Sequence, residues 1–221
     1  MKTLKIYNMK KYTTNIFLLA ALLLFSTSAF SQFSRFGVKA GLNMSNLTVE
    51  GNNDNTMKFG LNAGLLGKFY ITERFALQPE LLYSSKGFEN DFDDEIFTDG
   101  EVNYNFNYID VPIKLVFYLA EDFSFQIGPY IGYLINANVD VDNAELLDFF
   151  EVDSKDELDR DRFNALDFGI TGGLGFELDP LILGFNYNLG LTQVAKENEP
   201  TELMLGDAKN TVIQVYAGIL F

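Results

Sequence analysis

Histidine, cysteine and tryptophan are all absent from this 221-residue chain. Without histidine no Ser-His, Cys-His or Asp-His catalytic unit can be assembled, and no imidazole can ligate a metal. Without cysteine there is no disulfide framework, no thiolate metal site and no N-terminal lipid-anchored Cys. Basic residues are few, 16 Lys and Arg against 31 Asp and Glu, for a formal net charge of −15. Binding a nucleic-acid backbone needs a basic surface, so nucleic acid is not an expected partner. Long apolar runs are missing as well. The one candidate, Ile16–Phe25, falls short of the roughly 20 residues that a spanning helix needs. Any membrane crossing must therefore be made by strands.

That apolar run has a different role. It follows a basic segment containing Lys2, Lys5, Lys10 and Lys11, and it precedes small residues Ala29 and Ser31 at the −3 and −1 positions of a cleavage site. This order is that of a secretory signal peptide. Residues 1–31 are expected to be removed after Ser31, leaving Gln32 first and a barrel domain over residues 32–221. The mature chain is then more acidic than the whole, because four lysines leave with the leader.

What the chain has in quantity is Phe, Tyr and Gly, with aromatics at 15% and 18 glycines, a balance that leans towards β structure. The alternation is most regular in the last stretch, Asn210 to Phe221. There Ile213, Val215, Ala217, Ile219 and Phe221 form one row, and Val212, Gln214, Tyr216, Gly218 and Leu220 form the other. A period of two means a strand. The final Phe221 is the ending many outer-membrane barrels use, where the closing strand marks the chain for the barrel-assembly machinery.

Seven more segments alternate in the same way. Phe36–Met44 is the first, followed by Phe59–Phe69, Phe75–Lys86, Val102–Tyr118, Phe123–Val139, Asp167–Glu177 and Leu183–Gly190. Pro112 lacks an N–H for the ladder, so a bulge or irregular pairing is expected there. The connections alternate in length. Short turns are expected at 70–75, 118–123 and 178–180. Long polar loops are expected at 48–56, 87–101, 140–161 and 192–209. A short helix is expected at 143–150, and Ser154-Lys-Asp-Glu157 has capping-box form. The short turns echo one another, Tyr70-Ile-Thr-Glu-Arg-Phe75 against Tyr118-Leu-Ala-Glu-Asp-Phe123, and place aromatics where a membrane interface favours them. The expected fold is all-β: an eight-stranded antiparallel transmembrane β-barrel with short periplasmic turns and long acidic external loops.

Alternation alone leaves the direction of the apolar row open, since a soluble lipocalin-like barrel has the same period with that row inside. The polar row decides. It is mostly Gly, Asn, Ser and Gln, which suits the crowded interior of an eight-stranded barrel rather than a solvated exterior. Lys39, Lys68, Glu80, Lys86, Asp110, Lys114, Asp167 and Glu177 then point inward. Buried charges must pair, so a network of lumen ion pairs is expected.

The motifs that carry these rows also resemble a family. Phe36-Gly-Val-Lys-Ala-Gly-Leu-Asn-Met-Ser-Asn-Leu47 resembles the opening strand of the PorT-like outer-membrane β-barrel proteins. Leu77-Gln-Pro-Glu-Leu-Leu-Tyr83, Tyr108-Ile-Asp-Val-Pro-Ile-Lys114, Gly128-Pro-Tyr-Ile-Gly132 and Asp167-Phe-Gly-Ile-Thr-Gly-Gly-Leu-Gly175 follow in the expected order. The resemblance covers the whole mature chain. It implies an eight-stranded outer-membrane barrel, and some members are linked to protein secretion. Similar proteins often carry a basic residue in the penultimate strand, where this chain has Phe185-Asn-Tyr187.

The expected role is that of an integral outer-membrane barrel of structural or interaction type. Its partners are outer-membrane lipid, the assembly machinery at the last strand, and a protein at the external loops. The alternatives are an accessory of secretion or narrow transport, and a soluble lipocalin-like ligand-binding barrel. A membrane hydrolase would need a carboxylate-only site. No catalytic, cofactor-binding or metal residue is assigned and no cofactor is expected. Clustered carboxylates at Asp91–Glu95 and Asp140–Asn143 are the places where Ca²⁺ could be held, although neither has EF-hand spacing.

Overall fold

Alternate side chains of a strand point to opposite faces, and the structure carries that pattern through eight long strands. The computed structural model describes residues 34–48, 57–94, 97–141, 155–158, 160–196 and 206–221. The leader, the helix expected at 143–150 and the first polar loop's centre lie outside the described residues. So do the side chains of both carboxylate clusters.

In chain order the strands are β1 (Ser34–Thr48), β2 (Lys58–Thr72), β3 (Phe75–Asp94), β4 (Phe97–Tyr118) and β5 (Phe123–Val141). After them come the four-residue β6 (Lys155–Leu158), then β7 (Leu166–Leu178), β8 (Leu181–Gln193) and β9 (Lys209–Leu220). Each long strand pairs with the next, and β4 also pairs with β5. The ring closes where β1 meets β9 in antiparallel register, from Gly37 opposite Leu220 to Thr48 opposite Lys209. The result is a closed eight-stranded antiparallel barrel with no exposed edge in the ring. β6 stands outside that count and, among the described residues, pairs only with the outer part of β5.

The two faces fall where the alternation placed them. On β9, Gln214 and Tyr216 are 2% and 4% exposed, while Val215, Ile219 and, just past the strand, Phe221 are 52%, 46% and 73% exposed. The same division holds on the other strands, so the apolar row faces outward all round. The outward belt carries Phe, Leu, Ile and Val, as on Phe59, Leu65, Leu81, Phe168 and Leu183. Inverting the faces, as a lipocalin-like barrel requires, would expose the lysine row instead.

Three local expectations are corrected and a fourth holds in part. The acidic stretch at 87–101 is not a loop: β3 and β4 run through most of it, with Gly87 opposite Asn105 and Asp91 opposite Glu101. The backbone ladder satisfies the peptide groups there, and the inner row still finds partners, since Phe88 stacks on Tyr104 at 4.5 Å. Gly87 lets the strand pass: its φ is +150°, and a Cβ would lie 1.8 Å from the Tyr104 carbonyl oxygen. The described part of the capping-box segment is likewise extended, with Lys155–Leu158 in β6. The expectation at Pro112 holds in part: there is no bulge and the register is unshifted, but the β3–β4 ladder is interrupted there, between Pro79/Ile113 and Leu82/Asp110. The β4–β5 register shift sits at Asn107/Tyr108. Beyond it Ala137 and Val139 take the inward row, and Asn136 bonds to Asn107 at 2.7 Å.

The echoed turns differ most from expectation. Phe75 and Phe123 do face outward, in ring pairs with Phe117 and Phe176 at 5.1 and 4.8 Å. Tyr70 and Tyr118 sit on the even, inward rows of β2 and β4 and stack on each other at 6.0 Å. Each echo thus supplies one outer-belt ring and one lumen ring.

Glycines on the inner row make room for tyrosines. A Cβ on Gly184 would lie 2.2 Å from Cζ of Tyr216. Gly184→Ala is expected to lose about 1–3 kcal/mol through overpacking, read as a lower urea midpoint by circular dichroism. In a Tyr216→Ala background the added methyl should cost little; an equal loss there would mean the collision is not the cause.

Candidate functional site

The chemistry-bearing side chains converge on the lumen, in layers from the turn end to the loop end. At the turn end Lys68 pairs with Glu177. Tyr118 donates to the same carboxylate at 2.7 Å, and Tyr70 approaches it at 3.4 Å. Leu66, Ile182, Tyr216 and Leu220 form an apolar cluster near that end.

The middle layer is built on Glu80. Lys114 reaches its Oε1 at 2.8 Å and Lys39 its Oε2 at 2.7 Å. The Lys39 approach falls outside hydrogen-bond geometry, so that attraction is Coulombic. Gln78 donates to Oε1 at 2.6 Å. With its amide turned so that Oδ1 faces Lys114, Asn186 accepts from Nζ at 2.9 Å and donates to the Phe185 carbonyl at 3.2 Å. Counting formal charges, two lysines on one glutamate leave this layer at +1.

The layer above inverts the stoichiometry. Lys86 lies 3.0 Å from Asp110 and 3.2 Å from Asp167, which leaves it at −1. Asp167 Oδ2 also accepts from Tyr130 at 3.2 Å and Asn210 at 3.1 Å. Between the layers an amide chain runs around the wall. Asn62 and Gln214 donate to Asn43 at 2.9 and 3.1 Å, and Asn43 donates to Ser84 at 3.0 Å.

All eight charges expected to point inward do so, and every one is in an ion pair. Sequence reasoning missed the rings that accompany them. Lys39 lies 4.0 Å from the Tyr216 ring centre, and Lys86 lies 4.5 and 5.0 Å from those of Tyr108 and Tyr130. The quadrupole of each ring supports a cation that burial has stripped of water. The signal was legible, since these tyrosines occupy the polar row.

At the loop end the lumen turns apolar. Leu47, Phe88, Phe106, Leu134, Phe163, Val194 and Ala208 pack together, with Tyr108 joining this plug to the layer below. Phe163 reaches in from the turn after β6, with its ring 5.2 Å from Phe106. Asn164 holds that turn by donating to the carbonyls of Gln193 and Ala195, each at 2.9 Å. At the opposite end a recess of about 530 Å³ opens between Tyr70, Tyr118, Glu177 and the two echoed turns.

A closed eight-stranded barrel with an outward apolar belt matches a known family model over residues 29–196, described as the outer membrane protein beta-barrel domain. The chain belongs to this family. It is accordingly a protein of the outer membrane, and the belt is the surface such a barrel turns to lipid. Among solved structures, Ail of Yersinia pestis is similar at 15% identity, with 86% of this chain and 99% of that chain covered and a TM-score of 0.45. Neisserial surface protein A is similar at 11% identity, covering 85% and 97%, with a TM-score of 0.48. OprG from Pseudomonas aeruginosa is similar at 13% identity, covering 86% and 96%, with a TM-score of 0.39. No curated protein matches the chain.

Proposed function

We propose that this outer-membrane barrel is a non-conducting, non-catalytic scaffold that anchors its loop-end segments for contact with a protein partner. The observation that carries this is the filled lumen. Two charged layers and an aromatic plug occupy the cross-section that a pore would need open. The absence of histidine and cysteine from the whole chain supports the non-catalytic part.

In this reading the outward belt lies in lipid, the three short turns face the periplasm, and β9 is the strand the assembly machinery takes up. The extended β3–β4 hairpin, with Asp91, Asp93, Asp94, Glu95, Asp99 and Glu101 in its sequence, stands with the acidic segment after β5 on the outside. In planar bilayers the purified protein is expected to give no steady conductance; sustained open channels would overturn the closed-lumen reading. Crosslinking pull-downs from intact cells test the partner. One captured by the full-length chain is expected to be lost when residues 142–154 are deleted, and an unchanged capture list would sink loop-mediated binding.

A second reading is favoured by the recess at the turn end and by the PorT-like motifs: an accessory of protein secretion. It predicts that cells lacking this chain secrete an altered set of proteins. An unchanged set would remove it.

A further inference from the structure

Between the +1 and −1 layers lies a small cavity of about 10 Å³, bordered by Asp110, Lys114, Tyr130, Thr171, Asn186 and Gln214 among others. We infer that this cavity is a binding site for one water molecule, which joins the Glu80 and Lys86 clusters into a single hydrogen-bonded unit.

Size and chemistry select the occupant together. A cavity needs about 10–15 Å³ of probe-occupied volume to hold a water, and the water needs two to four polar partners. The volume matches one such sphere. Lys114 on one side repels a cation, and Asp110 on the other repels an anion. A neutral molecule that both donates and accepts fits between them.

The wall has a group waiting for it. Thr171 is 2% exposed, and its hydroxyl has no protein partner. A buried hydroxyl left unpaired is costly, so the group must find one. Lys114 has three N–H donors; its ion pair with Glu80 and, with the Asn186 amide turned, the contact with that Oδ1 engage two of them. A water accepting from Lys114 and donating towards Asp110 uses the opposite charges of the two layers, while Thr171 supplies a third contact. The two clusters then act as one element, with the excess positive charge of one layer facing the excess negative charge of the next.

The sign of one substitution tests this. Thr171→Val keeps the shape and removes the hydroxyl. If the cavity holds water, the folded-to-unfolded ratio in urea should fall about tenfold, because the water loses a partner. If the cavity is dry, the same change removes an unpaired hydroxyl and leaves stability equal or higher, which would overturn the inference. Thr171→Ser, which keeps the hydroxyl, should stay closer to wild type than the valine variant. A second readout is independent of stability: the Thr171 amide in detergent-solubilised protein should show NMR cross-relaxation to a long-lived water. No such signal would equally reject the site.

Discussion

Glu80→Gln is expected to remove most of the barrel's stability. The change is nearly isosteric, so packing is kept, but two buried lysines lose the one carboxylate that pairs with them among the described residues. Lys39 and Lys114 both lie in the wall beside Glu80, and all three side chains are fully enclosed or nearly so. Removing one partner from a buried ion pair typically costs about 3–5 kcal/mol. Here a single change strands two cations. Against a total of about 5–15 kcal/mol for a folded protein, that is enough to abolish the heat-resistant compact band on a gel, or to lower the urea midpoint steeply. Charge rather than shape is the cause. Adding Lys39→Met and Lys114→Met to Glu80→Gln should therefore recover much of the loss. A single variant with a wild-type midpoint would mean the layer does not hold the barrel together.

Lys86→Met should have a comparable effect with the opposite sign of stranded charge. Asp110 and Asp167 approach the same ammonium group, at 3.0 and 3.2 Å. Without it two carboxylates share one enclosed layer. Tyr130 and Asn210 still donate to Asp167, so that carboxylate keeps neutral partners. The loss is again about 3–5 kcal/mol, read by circular dichroism during urea unfolding. Neutralising both acids in the same chain, Asp110→Asn with Asp167→Asn, should restore most of the midpoint. Failure of that triple variant to recover would assign the loss to packing of the lysine stem rather than to charge. The two layers need not respond additively, because they lie on either side of one small cavity.

Much of this architecture was legible in the chain. Each strand's two rows differ in chemistry, and lipid and a crowded interior demand opposite residues, so the rows alone determined which side faces out. The same logic placed Lys39, Lys68, Glu80, Lys86, Asp110, Lys114, Asp167 and Glu177 inside. It also placed the closing strand, with Val215, Ile219 and Phe221 outward and Gln214 and Tyr216 inward. The sequence likewise showed that buried charges of both signs would have to pair.

It did not show which lysine would meet which acid. That depends on the tilt and stagger with which eight strands close, and on Glu80 lying within reach of β1 and β4 at once. Nor did composition distinguish the acidic stretch at 87–101 from a loop. Strands there are held by cross-strand pairing and by Phe88, Tyr104 and Phe106 on the inner face, not by local preference. Tyr70 and Tyr118 looked like interface anchors because both flank tight turns, and only their row parity in the closed barrel turned them inward. The period of two determined the faces, because side-chain direction is a local property of a strand. Closure of the barrel decided the contacts across the lumen, because those join residues far apart in the chain.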